Sequence, residues 1–159
     1  LGCDAAACTA AVTQAQWPAR MQKLKAGPLV DVAAASGAEL WLDGGHNPAA
    51  GRALADMLRQ LPRRPTYVIC GMLNTKDVSG YLRPLADVVT ALHAVAIPGE
   101  RNTLSPAQTV AAAVDARVSA HEADDVDAAL RAILADVPDA RVLICGSLYL
   151  AGRILQTHS

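Results

Sequence analysis

The chain has 159 residues, of which 52% are hydrophobic and 18% charged, and its formal net charge is −1. A chain of this length fits one domain that buries about 70% of its unfolded surface, so it needs no disulfide or metal to fold. The near-neutral charge excludes the basic surface typical of nucleic-acid binding, and no apolar run approaches the roughly 20 residues that cross a bilayer.

The first part of the chain predicts a helix followed by a β-hairpin. Residues 4–16 are rich in alanine and contain neither Gly nor Pro, which favours a helix that is interrupted at Pro18. Residues 21–25 alternate apolar and polar side chains and predict a strand. The pair Gly27-Pro28 then predicts a turn into a second strand at 29–32, which completes the hairpin.

The stretch 40–61 predicts a buried strand, a glycine turn and a capped helix. Residues 40–42 are apolar, and Asp43 stands where this strand ends. Two glycines allow a tight turn, after which His46 precedes Asn47, a good helix cap, and Pro48, a good first helical residue. An aspartate and a histidine therefore lie beside the positive end of a helix dipole, which favours anion binding.

The rest of the chain alternates short apolar runs with stretches of helical spacing. We predict strands at 66–70, 90–97, 118–120 and 141–145, and helices at 77–86, 105–116, 124–134 and 148–157. This alternation predicts an α/β fold, with a Rossmann-like, mostly parallel sheet covered by helices on both faces. No linker divides it, so residues 1–159 are expected to form one domain.

Polar side chains follow the strands of this sheet, at the end where ligands bind in open parallel sheets. Along the chain they are Asp43 and His46, then Asn74, Lys76 and Asp77, then residues 100–103, and finally Ser147. We expect these strand ends to form one wall of a binding cleft.

Several common site motifs are absent from the sequence. It has no G-x-x-x-x-G-K-[ST] phosphate loop and no G-x-G-x-x-G fingerprint. Its histidines show no ligand spacing with cysteines or one another, so we predict no metal site. Cys70 and Cys145 lie in apolar runs and are expected to be reduced core residues, which favours a cytoplasmic protein. The chain is therefore expected to hold part of an active site.

Four segments, in this order, resemble the C-terminal domain of the folylpolyglutamate synthase/dihydrofolate synthase family of Mur ligases. They are WPARMQ at 17–22, LDGGHNP at 42–48, GMLNTKD at 71–77 and CGSLY at 145–149. The resemblance covers nearly the whole chain, and the pair W-P-x-R-x-Q and D-G-x-H-N-P is specific. Ala19 stands where the family usually has Gly, and Gly45 where it commonly has Ala.

The resemblance implies an enzyme that uses ATP to phosphorylate a carboxylate of dihydropteroate or a folate. The amine of L-glutamate then attacks the acyl phosphate and forms an amide. ATP and Mg²⁺ are the implied cofactors, and the magnesium ligands and phosphate loop are expected in a preceding ATPase domain. Since the chain starts at Leu1 rather than at a methionine, we expect a fragment of a longer protein, inactive alone. The expected full-length protein is a monomer with no nucleic-acid or membrane partner.

The resemblance also implies roles for four residues around the nucleotide and the reaction. Arg20 and Asp43 are expected to contact ATP. Without the motif, Arg20 fits a surface salt bridge, and Asp43 fits a cap of the glycine turn. His46 is expected to donate to a phosphate or the acyl phosphate and Lys76 to neutralise substrate charge, which makes both catalytic.

Three further residues are predicted to bind substrate. Asn47 is interpreted as a helix cap first and a ligand second, and Asp77 fits a helix cap and a ligand equally. Ser147 is predicted to hold the glutamate carboxylate or to cap the last helix.

Two other functions stay open at this stage. One is the matching domain of a Mur-type ligase that joins an amino acid to a cell-wall precursor, against which the motif wording argues. The other is a nucleotide- or phosphoprotein-binding module without catalysis.

Overall fold

The computed structural model of the protein describes residues 19–158, which form a six-stranded sheet with helices on both faces. The helix predicted at 4–16, together with Trp17 and Pro18 of the first motif, lies outside the described residues. None of the helices in the described range has the length and apolarity that crossing a membrane requires.

The strands and helices alternate along most of the chain. The strands are β1 (Gln22–Lys23), β2 (Glu39–Leu42), β3 (Thr66–Cys70), β4 (Ala91–Ala94), β5 (Ala120–Glu122) and β6 (Arg141–Cys145). The helices are α1 (Pro28–Ala35), α2 (Pro48–Gln60), α3 (Val78–Leu82), α4 (Pro106–Asp115), α5 (Val126–Asp136) and α6 (Leu148–Leu155), with a 3-10 turn at Arg83–Leu85.

The strand order across the sheet is β1-β2-β6-β3-β4-β5, and only the β1–β2 pair is antiparallel. This confirms the mostly parallel α/β sheet. The last strand along the chain, β6, lies between β2 and β3, and all five of its residues are buried. Burial on both faces explains why this strand is a continuous apolar run after its first residue.

The hairpin predicted at the start of the sheet is wrong. Residues 29–32 lie in helix α1, which begins at Pro28 and buries Leu29 and Ala33, one helical turn apart. A short apolar run does not distinguish a strand from a helix by itself. Here the proline at the first helical position and the alanines at 33–35 extend the run into a helix. Strand β1 pairs with β2, with α1 between them along the chain.

Strand β5 begins two residues later than predicted, because the end of α4 uses those residues. Arg117 adopts the left-handed conformation with φ 65°. The N–H of Val118 donates to the carbonyl of Ala113 at 2.8 Å, which closes the helix in a Schellman motif.

Two hydrophobic cores cover the two faces of the sheet. On one face, helices α1, α5 and α6 cover the sheet with buried side chains such as Leu130 and Ile154. On the other face, helices α2, α3 and α4 cover it with buried side chains such as Leu54 and Tyr81. Strands β2 and β6 are neighbours, yet the helices that follow them lie on opposite faces. The loops after these strands therefore diverge, which opens a crevice at the carboxyl end of the sheet.

Helix α2 packs closely on α3 at Gly51, where a methyl group would collide with the backbone carbonyl of Tyr81. We expect Gly51→Ala to lower the free energy of unfolding by about 1–3 kcal/mol, the usual cost of overpacking. Gly152→Ala in α6 is the matched control, since nothing lies within 4 Å of its added methyl. The free energy of unfolding of Gly152→Ala should rise by up to about 1 kcal/mol, because alanine has a higher helix propensity than glycine. Urea titration measures both, and wild-type stability for Gly51→Ala would exclude the close contact.

Glu39 joins three strands at the amino end of β2. Its carboxylate accepts hydrogen bonds from Lys23 Nζ at 2.8 Å, Trp41 Nε1 at 3.3 Å and Arg141 Nε at 3.3 Å. Burial raises the pKa of this carboxyl, but the three donors outweigh burial and lower the pKa from 4.5 to about 2.

This lowered pKa predicts how stability depends on pH. The stabilisation from the Glu39 carboxylate is complete above pH 4.5 and is lost as the pH falls from 4.5 towards about 2. We expect Glu39→Gln to flatten the acid limb of the unfolding free energy in this window. Asp56→Asn, in an exposed pair with Arg59, is the control and should keep the wild-type slope. An unchanged slope in Glu39→Gln would contradict the role of this cluster.

Candidate functional site

The loops that follow β2, β3 and β6 enclose a cavity of about 290 Å³ at the carboxyl end of the sheet. It is lined by His46, Leu73, Lys76, Gly146, Ser147, Leu148 and Tyr149. Three residues predicted from the sequence, one from each loop, therefore line the same cavity. Three of the four strand ends expected to form one wall of a cleft thus meet at this cavity, whereas residues 100–103, after β4, do not line it.

The floor of the cavity depends on a glycine. Gly146 has φ 102°, and an added methyl would come within 2.8 Å of both Cys70 Sγ and the carbonyl of Gly71. The loop after β6 can thus lie directly on the end of β3. Beneath it, Cys70 is paired in register with Cys145, and both are buried free thiols. The hydrogen bond with Cys145, together with burial, raises the pKa of the Cys70 thiol, so it is an unreactive core residue.

A hydrogen bond to the backbone determines which ring nitrogen of His46 is free to accept a proton. Its Nδ1 lies 3.1 Å from the carbonyl oxygen of Gly44. A carbonyl only accepts, so Nδ1 carries the hydrogen and Nε2 of the neutral ring has a free lone pair. Neutral His46 therefore offers Nε2 as a base, and it donates to a phosphate through Nε2 only after it is protonated.

Lys76 and Ser147 bring groups that attract anions to the cavity. Lys76 is exposed and follows β3, and its ammonium is the only side-chain cation that lines the cavity within residues 19–158. Ser147 is buried, and its Oγ accepts the N–H of Tyr149 at 3.0 Å, which confirms the cap on α6. Its hydroxyl hydrogen stays available to a ligand, beside the positive end of α6.

The helix-cap alternative is confirmed for Asn47 and Asp77. Asn47 Oδ1 accepts the N–H of Ala50 at 2.9 Å, and Asp77 Oδ1 accepts the N–H of Gly80 at 2.9 Å. Neither side chain lines the cavity. Asp77 instead borders a separate groove of about 520 Å³ between α2 and α3.

Asp43 is buried, with 7% of its surface exposed, and both of its oxygens bind backbone. Oδ1 accepts the N–H of Gly45 at 2.7 Å, and Oδ2 accepts the N–H of Met21 at 2.9 Å. The first contact confirms that Asp43 caps the glycine turn. The second ties the turn to Met21, 22 residues earlier and directly after Arg20.

Arg20 is exposed at the start of the described chain, and within residues 19–158 its side chain forms no ion pair. The salt bridge left open by the sequence is thus absent from this part of the protein. Gly44 connects Arg20 to the cavity, because its N–H donates to the carbonyl of Ala19 at 2.7 Å while its own carbonyl accepts from His46. Arg20 therefore lies on a segment bonded directly to the loop that carries His46.

The sequence prediction missed Leu148 and Tyr149 at the cavity mouth. They are 52% and 55% exposed although both are large and apolar. The sequence did contain a signal for them. Both directly follow the capping serine, in the first turn of a helix, where polar side chains usually face the solvent. Exposed apolar side chains beside a cavity are typical of a surface that another chain segment or a ligand covers.

A larger cavity, of about 560 Å³, lies at the opposite, amino end of the sheet and is rich in arginine. Most of these arginines already have acidic partners: Arg59 pairs with Asp56, and Arg64 and Arg141 pair with Glu39. None of the predicted site residues lines this cavity.

Metal binding has no support from the described side chains. Residues 19–158 contain no group of three His, Cys, Asp or Glu side chains that could hold a metal ion. The expectation that Mg²⁺ is held by another domain stays a prediction.

The family model for the glutamate ligase domain of Mur ligases matches residues 20–148. A curated relative, the folylpolyglutamate synthase of Lacticaseibacillus casei, is 34% identical over 141 residues. The match covers 89% of this chain and 29% of that protein. The chain therefore spans less than a third of the length of this relative.

Solved structures show the same fold. A bifunctional folylpolyglutamate synthase/dihydrofolate synthase, solved with Mn, AMPPNP and L-glutamate bound, aligns with a TM-score of 0.74 and 27% identity. The match covers 98% of this chain and 35% of that one. The Mycobacterium tuberculosis folylpolyglutamate synthase, complexed with ADP and AMPPCP, has a TM-score of 0.75 and 24% identity, over 97% and 35% of the two chains.

Proposed function

The chain belongs to the Mur ligase family as a glutamate ligase domain, and from this we propose that it is the C-terminal domain of an ATP-dependent folate ligase. The reaction joins L-glutamate to dihydropteroate or a folate through an acyl phosphate. The observation that carries the proposal is the cavity that brings together a base, a cation and a helix amino terminus, from His46, Lys76 and Ser147.

Each of these groups meets a need of amide formation. The carboxylate of the pterin substrate attacks the γ-phosphorus of ATP, ADP leaves, and an acyl phosphate forms. Lys76 neutralises negative charge on the phosphate. The Ser147 hydroxyl and the start of α6 bind a glutamate carboxylate. Nε2 of His46 accepts a proton from the glutamate amine as nitrogen bonds to the acyl carbon and phosphate departs.

The remaining predicted residues support this arrangement from its edges. We propose that Arg20 binds a phosphate group of ATP, for which its fork of donors is suited, with Asp43 on the same side of the site. Asn47 and Asp77 fix the first turns of α2 and α3, which hold the loops that carry His46 and Lys76.

The proposal includes a partner domain. No phosphate loop occurs in these 159 residues, so an ATPase domain of the same full-length protein supplies that loop and binds the Mg²⁺ that accompanies ATP. The isolated domain is then inactive. We also propose that the full-length protein is a monomer. The buried free thiols of Cys70 and Cys145 support a cytoplasmic location.

The test is an assay of the complete gene product that contains this chain, with ATP, Mg²⁺ and L-glutamate. Dihydropteroate and a tetrahydrofolate are offered separately, and mass spectrometry identifies any amide product. We expect ADP, phosphate and a glutamyl amide from at least one of the two. An amide formed only on a cell-wall precursor, or nucleotide binding without any amide, would overturn the proposal in favour of the corresponding alternative.

A further inference from the structure

Arg20 is flanked by two residues in an unfavourable backbone conformation. Ala19 has φ 57° and Met21 has φ 41°, both in the left-handed region that residues with a Cβ rarely adopt. Both flanking residues are buried, whereas Arg20 between them is exposed. Such a conformation persists only where surrounding contacts hold it, and it clusters at functional sites.

Three hydrogen bonds hold this turn. The N–H of Ala19 donates to Oε1 of Gln22 at 3.0 Å, and the carbonyl of Ala19 accepts from Gly44 at 2.7 Å. The N–H of Met21 donates to Oδ2 of Asp43 at 2.9 Å. Asp43 therefore supplies the side-chain acceptor for the residue that directly follows Arg20.

The same carboxylate holds the loop that carries His46. Its Oδ1 accepts the N–H of Gly45 at 2.7 Å, while Oδ2 binds the turn around Arg20. Two N–H donors approach from two different segments, and only a carboxylate offers an acceptor oxygen to each. An asparagine in this place would point its NH₂ group at one of the two donors.

We propose that Asp43 is a positioning residue, which acts on the bound nucleotide by holding the strained Ala19–Gln22 turn and thereby the exposed Arg20. This rests on the proposed function, in which Arg20 meets a phosphate of ATP. It differs from a direct contact between Asp43 and ATP, since here Asp43 acts through the two backbone N–H groups that its oxygens bind. The carboxylate also fixes the distance between Arg20 and His46.

The experiment uses the complete gene product and compares Asp43→Asn, Arg20→Ala and the double variant. We expect Asp43→Asn to raise the KM for ATP at least about tenfold, the equivalent of about 1.4 kcal/mol. The double variant should be no worse than Arg20→Ala alone, since both changes remove the same contact. Asp125→Asn, which keeps its helix-cap bond to Ala128 at 2.8 Å, is the matched control and should behave as wild type.

A suppressor variant separates positioning from direct contact. Glycine adopts φ near +60° without strain, so Ala19→Gly should restore part of the ATP affinity in the Asp43→Asn background. A direct contact between Asp43 and ATP gives no such rescue, and the effects of Asp43→Asn and Arg20→Ala would then multiply. Either result would overturn the proposal, as would a loss of stability in Asp43→Asn with an unchanged KM for ATP.

Amide hydrogen exchange provides a readout that does not depend on activity. The N–H of Met21 should exchange slowly in the wild type and much faster in Asp43→Asn, while the N–H of Ala128 stays unchanged. If the wild type makes no amide and binds no AMPPNP, the proposed function fails, and exchange at Met21 still decides whether Asp43 holds the turn. Equal exchange in both proteins would refute the positioning role.

Discussion

Replacement of His46 with glutamine in the complete gene product is expected to lower kcat by about 10²- to 10⁴-fold, the usual contribution of a positioned general base. The Nδ1–H of His46 is bound to the Gly44 carbonyl, so the neutral ring presents Nε2 as an acceptor. Glutamine can keep a hydrogen bond to Gly44, but its amide does not accept a proton from the glutamate amine.

Steady-state kinetics with saturating ATP and glutamate measure this effect. His121→Gln is the control, since His121 is exposed and its neighbour in the sheet is His93, away from the cavity. Near-normal kcat in His46→Gln would refute the base. A rate retained in His46→Arg would instead indicate that the reaction needs positive charge at this position.

Removal of the Arg20 guanidinium is expected to lower kcat/KM for ATP by roughly 10- to 150-fold. This corresponds to the roughly 1.5–3 kcal/mol that a hydrogen bond to a charged group contributes. Arg20 is exposed, so Arg20→Ala should leave the unfolding temperature unchanged. The effect should therefore be on nucleotide use and not on folding.

Two controls accompany this variant. Arg131→Ala removes an exposed arginine that pairs with Asp127 and does not line the cavity, and it should leave kcat/KM unchanged. Arg20→Lys keeps the charge but loses the bidentate fork, so it should fall between wild type and Arg20→Ala. Wild-type kinetics in a folded Arg20→Ala protein would exclude the phosphate contact.

Local sequence signals predicted much of the fold because they act within a few residues. The pairs Asn47-Pro48 and Ser105-Pro106 each combine a cap with a proline at the first helical position, and both helices begin there. Helix α1 was missed because its local signals also fit a turn followed by a strand. Its run of apolar residues is too short for the period to identify it, and the sequence prediction assigned Gly27-Pro28 to a turn instead of to the start of a helix.

The site could be predicted only in part, because its decisive contacts join distant segments. The order of strands brought His46, Lys76 and Ser147 to one edge, as the parallel-sheet rule predicts. The bond from Met21 to Asp43 and the approach of Gly44 to Ala19 depend on the antiparallel pairing of β1 with β2. No spacing in the sequence encodes that register.

The acyl phosphate is the central claim, and isotope transfer tests it most directly. The complete gene product would receive ATP, L-glutamate and a pterin substrate whose carboxylate is labelled with oxygen-18. If the carboxylate oxygen attacks the γ-phosphorus and the amine later displaces phosphate, each amide formed releases one inorganic phosphate that carries one labelled oxygen. Mass spectrometry of the released phosphate should show this transfer in step with amide formation. Amide formation with unlabelled phosphate would contradict the proposed reaction.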